Sequence, residues 1–267
     1  MKFQTEMPLL TKQEFGNIPC FDLLTRLLSV DKVNDLYDRY CRYAGPAFAR
    51  AVLKDIDINY EVLNLEILDS IPEGPFITIS NHPFGHIDGI ILVDLFGHLC
   101  SDYKVMVNRI LGRIDPLKDN FICVTPVGEE RTVPTRESLQ GVKEALKHVR
   151  GGHPLGLFPA GAVSDLSIKD RCVRDREWQE PVIRLIKKLN VPILPVTFMD
   201  GNSAFYYTLG LLDWRIRLLR LPSEVFNKRG KTIRLSIGNI ISPEEQDEFN
   251  DLDDFRQFLR NKVYVLK

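Results

Sequence analysis

The chain has 267 residues, 44% of them hydrophobic and 27% charged, which is enough to bury a substantial core and too ordinary a mixture for a disordered or multi-span membrane protein. A formal net charge of -1 and a pI near 6.5 give no global basic field, so nucleic acid is excluded as the expected partner and any anion binding must be local. Cys20, Cys41, Cys100, Cys123 and Cys172 are widely spaced without a CxxC pair, which suits a reducing compartment rather than a disulfide framework or a cysteine zinc site.

The N-terminus is too polar and too interrupted for a signal-peptide core. From about Phe21 to Leu53, apolar residues at helical spacing (Leu23, Leu24, Leu27, Leu28, then Leu36, Tyr37, Tyr40) predict two helices interrupted at Pro46. Short β-rich segments follow at Tyr60 to Leu68, Phe76 to Ser80, Tyr103 to Val107, Phe121 to Val124, Leu155 to Phe158, Ile193 to Phe198 and Thr232 to Gly238. Helical patterns fall between or after them at His86 to Leu99, Pro134 to Val149, Arg176 to Leu189 and Leu252 to Lys262, long enough to serve as crossovers. The alternation predicts an α/β fold: one domain over 59–267 with a mixed, largely parallel central sheet flanked by helices, preceded by an N-terminal helical element over 1–58. The apolar run Gly89 to Phe96 contains Asp94 and falls far short of the roughly 20 residues that span a bilayer.

The densest chemistry lies directly after the Phe76 to Ser80 strand, in Ser80-Asn81-His82-Pro83-Phe84-Gly85-His86-Ile87-Asp88-Gly89. Pro83 bars helix at the preceding residue and Gly85 permits an unusual backbone angle, so His82 is expected on a turn before a helix that returns Asp88 toward it. An imidazole can take a proton from a hydroxyl near neutral pH, and a carboxylate on its other nitrogen fixes the tautomer and stabilises the imidazolium. The competing reading of the pair is a helix cap. His82, His86 and Asp88 also raise a metal-dependent hydrolase, but Pro83-Phe84-Gly85 disfavours a helix presenting both histidines, and His98, His148 and His153 stand in no paired ligand motif, so no metal is expected.

This stretch resembles motif I of the glycerolipid acyltransferase superfamily, of lysophosphatidate acyltransferase type. His82 and Asp88 are separated by five residues, one more than in the usual motif, a form similar to the haemolysin-like branch that includes lyso-ornithine and lyso-glycine lipid acyltransferases. Leu157-Phe158-Pro159-Ala160-Gly161-Ala162-Val163-Ser164 looks like the acceptor motif Phe-Pro-Glu-Gly-Thr-x-Ser, and Val191-Pro192-Ile193-Leu194-Pro195-Val196 looks like the closing Val-Pro-x-x-Pro-Val motif. Segments from Asp200 to Ser203 and from Asn227 to Lys231 are similar to the same branch.

The resemblance implies His82 as general base and Asp88 as its orienter. It also implies substrate-binding roles for Asn81, Gly85, Arg109, Arg113, Phe158, Pro159, Gly161 and Ser164, the Gly161 loop offering backbone N–H groups to an oxyanion. The implied reaction moves a fatty acyl group from an acyl carrier protein or coenzyme A thioester to a lysolipid hydroxyl, with no cofactor besides the donor. Val163 stands where relatives that acylate phosphate lipids carry arginine, which points to a lyso-aminolipid such as lyso-glycine or lyso-ornithine lipid. Lysophosphatidate is the alternative acceptor, and a non-enzymatic lipid-binding protein the alternative class. A lipid acceptor without a spanning segment implies a cytoplasmic protein held peripherally on the inner membrane face, through Asn17 to Tyr43 or the apolar-basic Tyr206 to Leu221.

Overall fold

The computed structural model describes residues 28–125 and 136–266. Leu23, Leu24, Leu27, Cys20 and the expected helix start at Pro134 lie outside the described residues, as do residues 17–27 of the expected membrane contact Asn17 to Tyr43.

Helices α1 (Val30–Tyr40) and α2 (Gly45–Asp55) come first, and Pro46 stands in the first turn of α2 rather than between the helices, where its missing N–H removes no helical bond. The sheet strands are β1 (Ile58–Leu63), β2 (Ile77–Ser80), β3 (Lys104–Asn108), β4 (Phe121–Val124), β5 (Leu155–Leu157), β8 (Ile193–Phe198) and β9 (Lys231–Ile237). They form one seven-stranded sheet in the order β1-β9-β8-β2-β5-β3-β4, parallel throughout except where β8 meets β9. The expected first strand ends early. Asn64 takes a left-handed φ of 60°, and Leu65–Ser70 turns as a 3-10 helix.

Period-two alternation divides the strand side chains between the two faces. Val105, Val107, Leu194, Val196 and Phe198 pack with α2 and with α3 (His86–Leu99). Ile77, Ile79, Leu155 and Leu157 pack instead with α4 (Arg136–Arg150), α5 (Glu180–Leu189) and the closing helix α9 (Leu252–Tyr264). The result is the expected α/β layering. Asp94, the charge inside the apolar run of α3, is 3% exposed and is met by Arg50 of α2 at 3.0 Å and by the Tyr60 hydroxyl of β1 at 2.7 Å. A buried carboxylate with two such donors ties three elements together.

Two features stand outside the secondary-structure elements expected from the sequence. A two-stranded ribbon, β6 (Asp165–Ser167) and β7 (Cys172–Arg174), follows β5, and the expected helix at Arg176 begins only at Glu180, with Pro181 in its first turn. After β8 the chain makes a helical hairpin, α6 (Ala204–Leu212) and α7 (Trp214–Phe226), before β9; a short helix α8 (Pro243–Asp247) precedes α9. No helix among the described residues is long and apolar enough to cross a membrane.

Candidate active site

Because β8, β2, β5 and β3 run parallel, their C-terminal ends share one edge of the sheet, where open α/β sheets receive ligands. The turn Asn81 to Gly85 leaves β2 at this edge. Asn81 is 1% exposed, and its side-chain amide brackets the end of β8, donating to the Phe198 carbonyl at 2.9 Å and accepting the Phe198 N–H at 2.7 Å. That engagement makes Asn81, expected among the substrate-binding residues, a strut between the two strands.

Asp88 is the third residue of α3 and fully buried. It accepts the N–H groups of Phe84 at 3.1 Å and Gly85 at 3.1 Å, which would otherwise be orphaned at the helix start. Its Oδ2 lies 2.7 Å from Nδ1 of His82, a contact of hydrogen-bond length. Nδ1 is thus buried against the acid, leaving Nε2 as the nitrogen available to substrate. Phe158, just past β5, lies over the imidazole with ring centroids 4.1 Å apart. Burial pushes the Asp88 carboxyl above the usual range, opposed by the imidazole and the two amides.

Gly85 has φ 86°, and a side chain there would meet Leu221 at 2.9 Å and Val163 at 3.1 Å. Expected to bind substrate, Gly85 meets two structural demands here: backbone conformation and close packing. His86 opens α3 beside His82. Desolvation, reinforced by the charge of His82, pushes His86 down to about 4. Among the described residues no group of three His, Cys, Asp or Glu side chains is placed to hold a metal ion.

The loop after β5 closes the other side. The Gly161 N–H donates to the Phe158 carbonyl at 2.9 Å, and its φ of 64° makes room for Gln179, whose amide nitrogen would lie 2.4 Å from an added Cβ. The N–H of Gly161 itself is therefore engaged within the loop that was expected to offer its backbone N–H groups to an oxyanion. The Pro159 carbonyl accepts the Gln179 N–H at 2.9 Å. Ser164 is 1% exposed; its N–H donates to the His82 carbonyl at 2.9 Å and its hydroxyl to Asp175 at 2.5 Å. Val163, at the arginine position of phosphate-lipid relatives, is buried beside Leu221. Arg109 and Arg113 sit in the exposed 3-10 turn that leaves β3 on the same edge, two strands from His82.

The sequence reading did not single out Asp175. This residue is 2% exposed and accepts three groups: the His82 N–H at 3.1 Å, the Ser164 hydroxyl, and the Trp178 indole N–H at 3.2 Å. Its own N–H donates to the Tyr264 hydroxyl at 2.8 Å, and its carbonyl accepts from Arg260 at 2.7 Å, so α9 braces it from behind. Arg217, expected with Arg215 and Arg220 among the basic groups of a membrane-facing Tyr206 to Leu221 stretch, is instead 3% exposed and directs its guanidinium to the carbonyls of Val163 and Ser164, each at 3.1 Å, and to Asp165.

A family model described as acyltransferase matches residues 8–267. Two curated relatives are both named lyso-glycine lipid O-acyltransferase. The protein from Bacteroides thetaiotaomicron is 26% identical over 95% of this chain and 93% of its own length. The protein from Phocaeicola vulgatus is 25% identical over 95% of this chain and 90% of its own length.

Proposed function

This chain belongs to the acyltransferase family, and within it we propose an O-acyltransferase that moves a fatty acyl group from an acyl carrier protein or coenzyme A thioester to the hydroxyl of a lyso-glycine lipid. The observation that carries the reading is the contact between His82 and Asp88 at the C-terminal end of β2, 2.7 Å with the acid fully buried.

In this mechanism Nε2 of His82 takes the acceptor hydroxyl proton as the oxygen attacks the thioester carbonyl. The tetrahedral intermediate then expels the thiolate, which receives that proton from the imidazolium, so the products are an ester and a free thiol. Asp88 is poorly solvated while His82 is neutral and gains a counter-ion when the imidazolium forms, so the pair favours the charge distribution of the transition state. No covalent enzyme intermediate or cofactor enters.

The acceptor reading rests on the names of the two relatives and on Val163. An apolar side chain packed on Leu221 cannot pair with phosphate, and Arg217 behind it is engaged by two carbonyls and Asp165. A head group with a single carboxylate makes a smaller electrostatic demand on this edge than a phosphate does. Arg109 and Arg113 on the same edge favour lysophosphatidate as the second reading. Side-by-side turnover of lyso-glycine lipid and lysophosphatidate by the purified protein, with acyl carrier protein and coenzyme A donors in parallel, tests both. Preference for lyso-glycine lipid is expected; preference for lysophosphatidate overturns the acceptor, and absence of thioester-dependent ester formation with either overturns the reaction. A lipid acceptor implies work at a membrane surface, on its cytoplasmic face.

A further inference from the structure

The α6–α7 hairpin stands beside the candidate dyad and exposes an unusual surface. Its base is bonded to the turn that holds His82: the Tyr207 hydroxyl donates to the Pro83 carbonyl at 2.8 Å and the Asn202 amide to the Phe84 carbonyl at 3.2 Å, while Leu221 packs on Gly85. Tyr206, Tyr207, Leu221 and Val163 make a small cluster of their own. The opposite side is open. Phe205 is 56% exposed, Leu211 46%, Leu212 79%, Trp214 39% and Ile216 47%.

Helix α6 contains no charged residue, and an uncharged helix is ordinarily enclosed by protein on all sides. Here one side is enclosed and the other is not, so its unmet face calls for an apolar environment. Arg217 is buried against Asp165, so the arginines this face offers are Arg215 and Arg220; Asp213 caps the start of α7 by accepting the Arg215 N–H at 2.7 Å. Arg215 lies over the Trp214 ring and Arg220 over Phe205, at 5.3 and 5.4 Å from the ring centroids. Tryptophan, leucine and arginine on one exposed face is the composition that settles at the boundary between acyl chains and anionic head groups.

We propose that the α6–α7 hairpin docks on an anionic lipid bilayer, inserting Leu212 and Trp214 at its tip and setting the His82 turn beside the head-group layer. The proposal deepens the lysolipid reading, because a membrane-borne acceptor then reaches His82 without leaving the interface. Its vesicle-binding arm, however, needs no substrate.

The two tryptophans make the test direct. Trp178 is 1% exposed inside the core, whereas Trp214 is open to solvent. With vesicles of phosphatidylglycerol and phosphatidylethanolamine, Trp214 emission should shift to the blue and be quenched by bromine-labelled acyl chains. The fraction floating with vesicles should fall at least tenfold in Leu212→Glu and again in Trp214→Glu, and should decrease with salt. Circular dichroism and melting of both variants should match the parent, since neither side chain is part of the core. Parent-like flotation of both variants, unchanged Trp214 emission, or equal binding to purely phosphatidylcholine vesicles would overturn the docking proposal, as would a concentration-dependent dimer abolished by Leu212→Glu. Acyl transfer should fall about tenfold with acceptor in vesicles and stay unchanged with the same acceptor dispersed as monomers. If neither form of acceptor is turned over while flotation behaves as expected, the acyl-transfer reading fails and the docking surface stands.

Discussion

The main-chain N–H of His82 donates to the carboxylate of Asp175 at 3.1 Å, so the histidine whose ring rests on Asp88 is held through its backbone by a second buried acid 93 residues further along the chain. Asp175 also collects the Ser164 hydroxyl and the Trp178 indole, and thereby fixes the loops after β2 and β5 relative to α9.

Asp175→Ala leaves three buried donors without an acceptor. At about 1–3 kcal/mol for each unmet group, partly relieved by relaxation, a loss of roughly 3 kcal/mol is expected in denaturant melts. Asp175→Asn keeps one carbonyl oxygen and should lose less. Turnover should fall further than the folded fraction in both, because the His82 backbone loses its register. A parent-like melt and kcat for Asp175→Ala would show that the acid is dispensable.

His82→Ala removes the proposed base while leaving the sheet untouched, so kcat should fall about 10³-fold or more with little change in melting temperature. Asp88→Asn is the finer probe. One oxygen, Oδ2, serves the Phe84 and Gly85 amides and also faces Nδ1, so an amide oxygen in its place keeps the two backbone bonds and the tautomer while removing the counter-charge to the imidazolium. Turnover should drop about 10²- to 10⁴-fold while the fold survives. Wild-type turnover by purified His82→Ala would end the proposed mechanism.

What was legible in the sequence is what local pattern encodes. The span His86–Leu99 was readable because Gly85 stops the strand exit and Asp88 stands where a helix start wants an acceptor; the same two signals brought His82 and Asp88 together. Asp175 was not readable, since it lies among the charges of Asp170 to Glu177 and acquires meaning only from partners on β2, the β5 loop and α9. The α6–α7 hairpin was seen only as an apolar-basic stretch, because α6 lacks the polar stripe that makes helical periodicity visible. Gly161 shows the opposite limit. Its residue type suits an oxyanion loop, yet whether its N–H is available depends on the Phe158 carbonyl, which no motif spells out.

His86 gives the site a pH dependence of predictable sign. Its pKa in the fold is pushed down to about 4 from the usual 6.5, so the fold favours the neutral ring. The corresponding stability is present above 6.5 and is lost as pH falls through 6.5 toward 4. His86→Gln should flatten the stability profile in that window and leave it unchanged at pH 8. Urea melts across the range check this, and a slope identical to that of the parent would mean that another group is responsible.

Gly85→Ala tests whether the turn geometry itself carries the chemistry. Gly85 combines φ 86° with ψ -99°, a conformation closed to alanine, and the added methyl would meet Leu221 at 2.9 Å and Val163 at 3.1 Å. Backbone strain of this kind costs on the order of 1–3 kcal/mol, and the contact adds to it. The consequence for activity should exceed that cost, because the Gly85 N–H is one of the two amides that hold Asp88, and turning the peptide moves the acid away from His82. Trimming Leu221 in the same chain separates the two effects. In Gly85→Ala with Leu221→Ala, the methyl has space but the dihedral angle is still forbidden, so stability should recover only in part and kcat should stay depressed. Full recovery of both would mean that packing alone required the glycine; partial recovery of stability with kcat still depressed is the result expected if its conformation aligns the dyad.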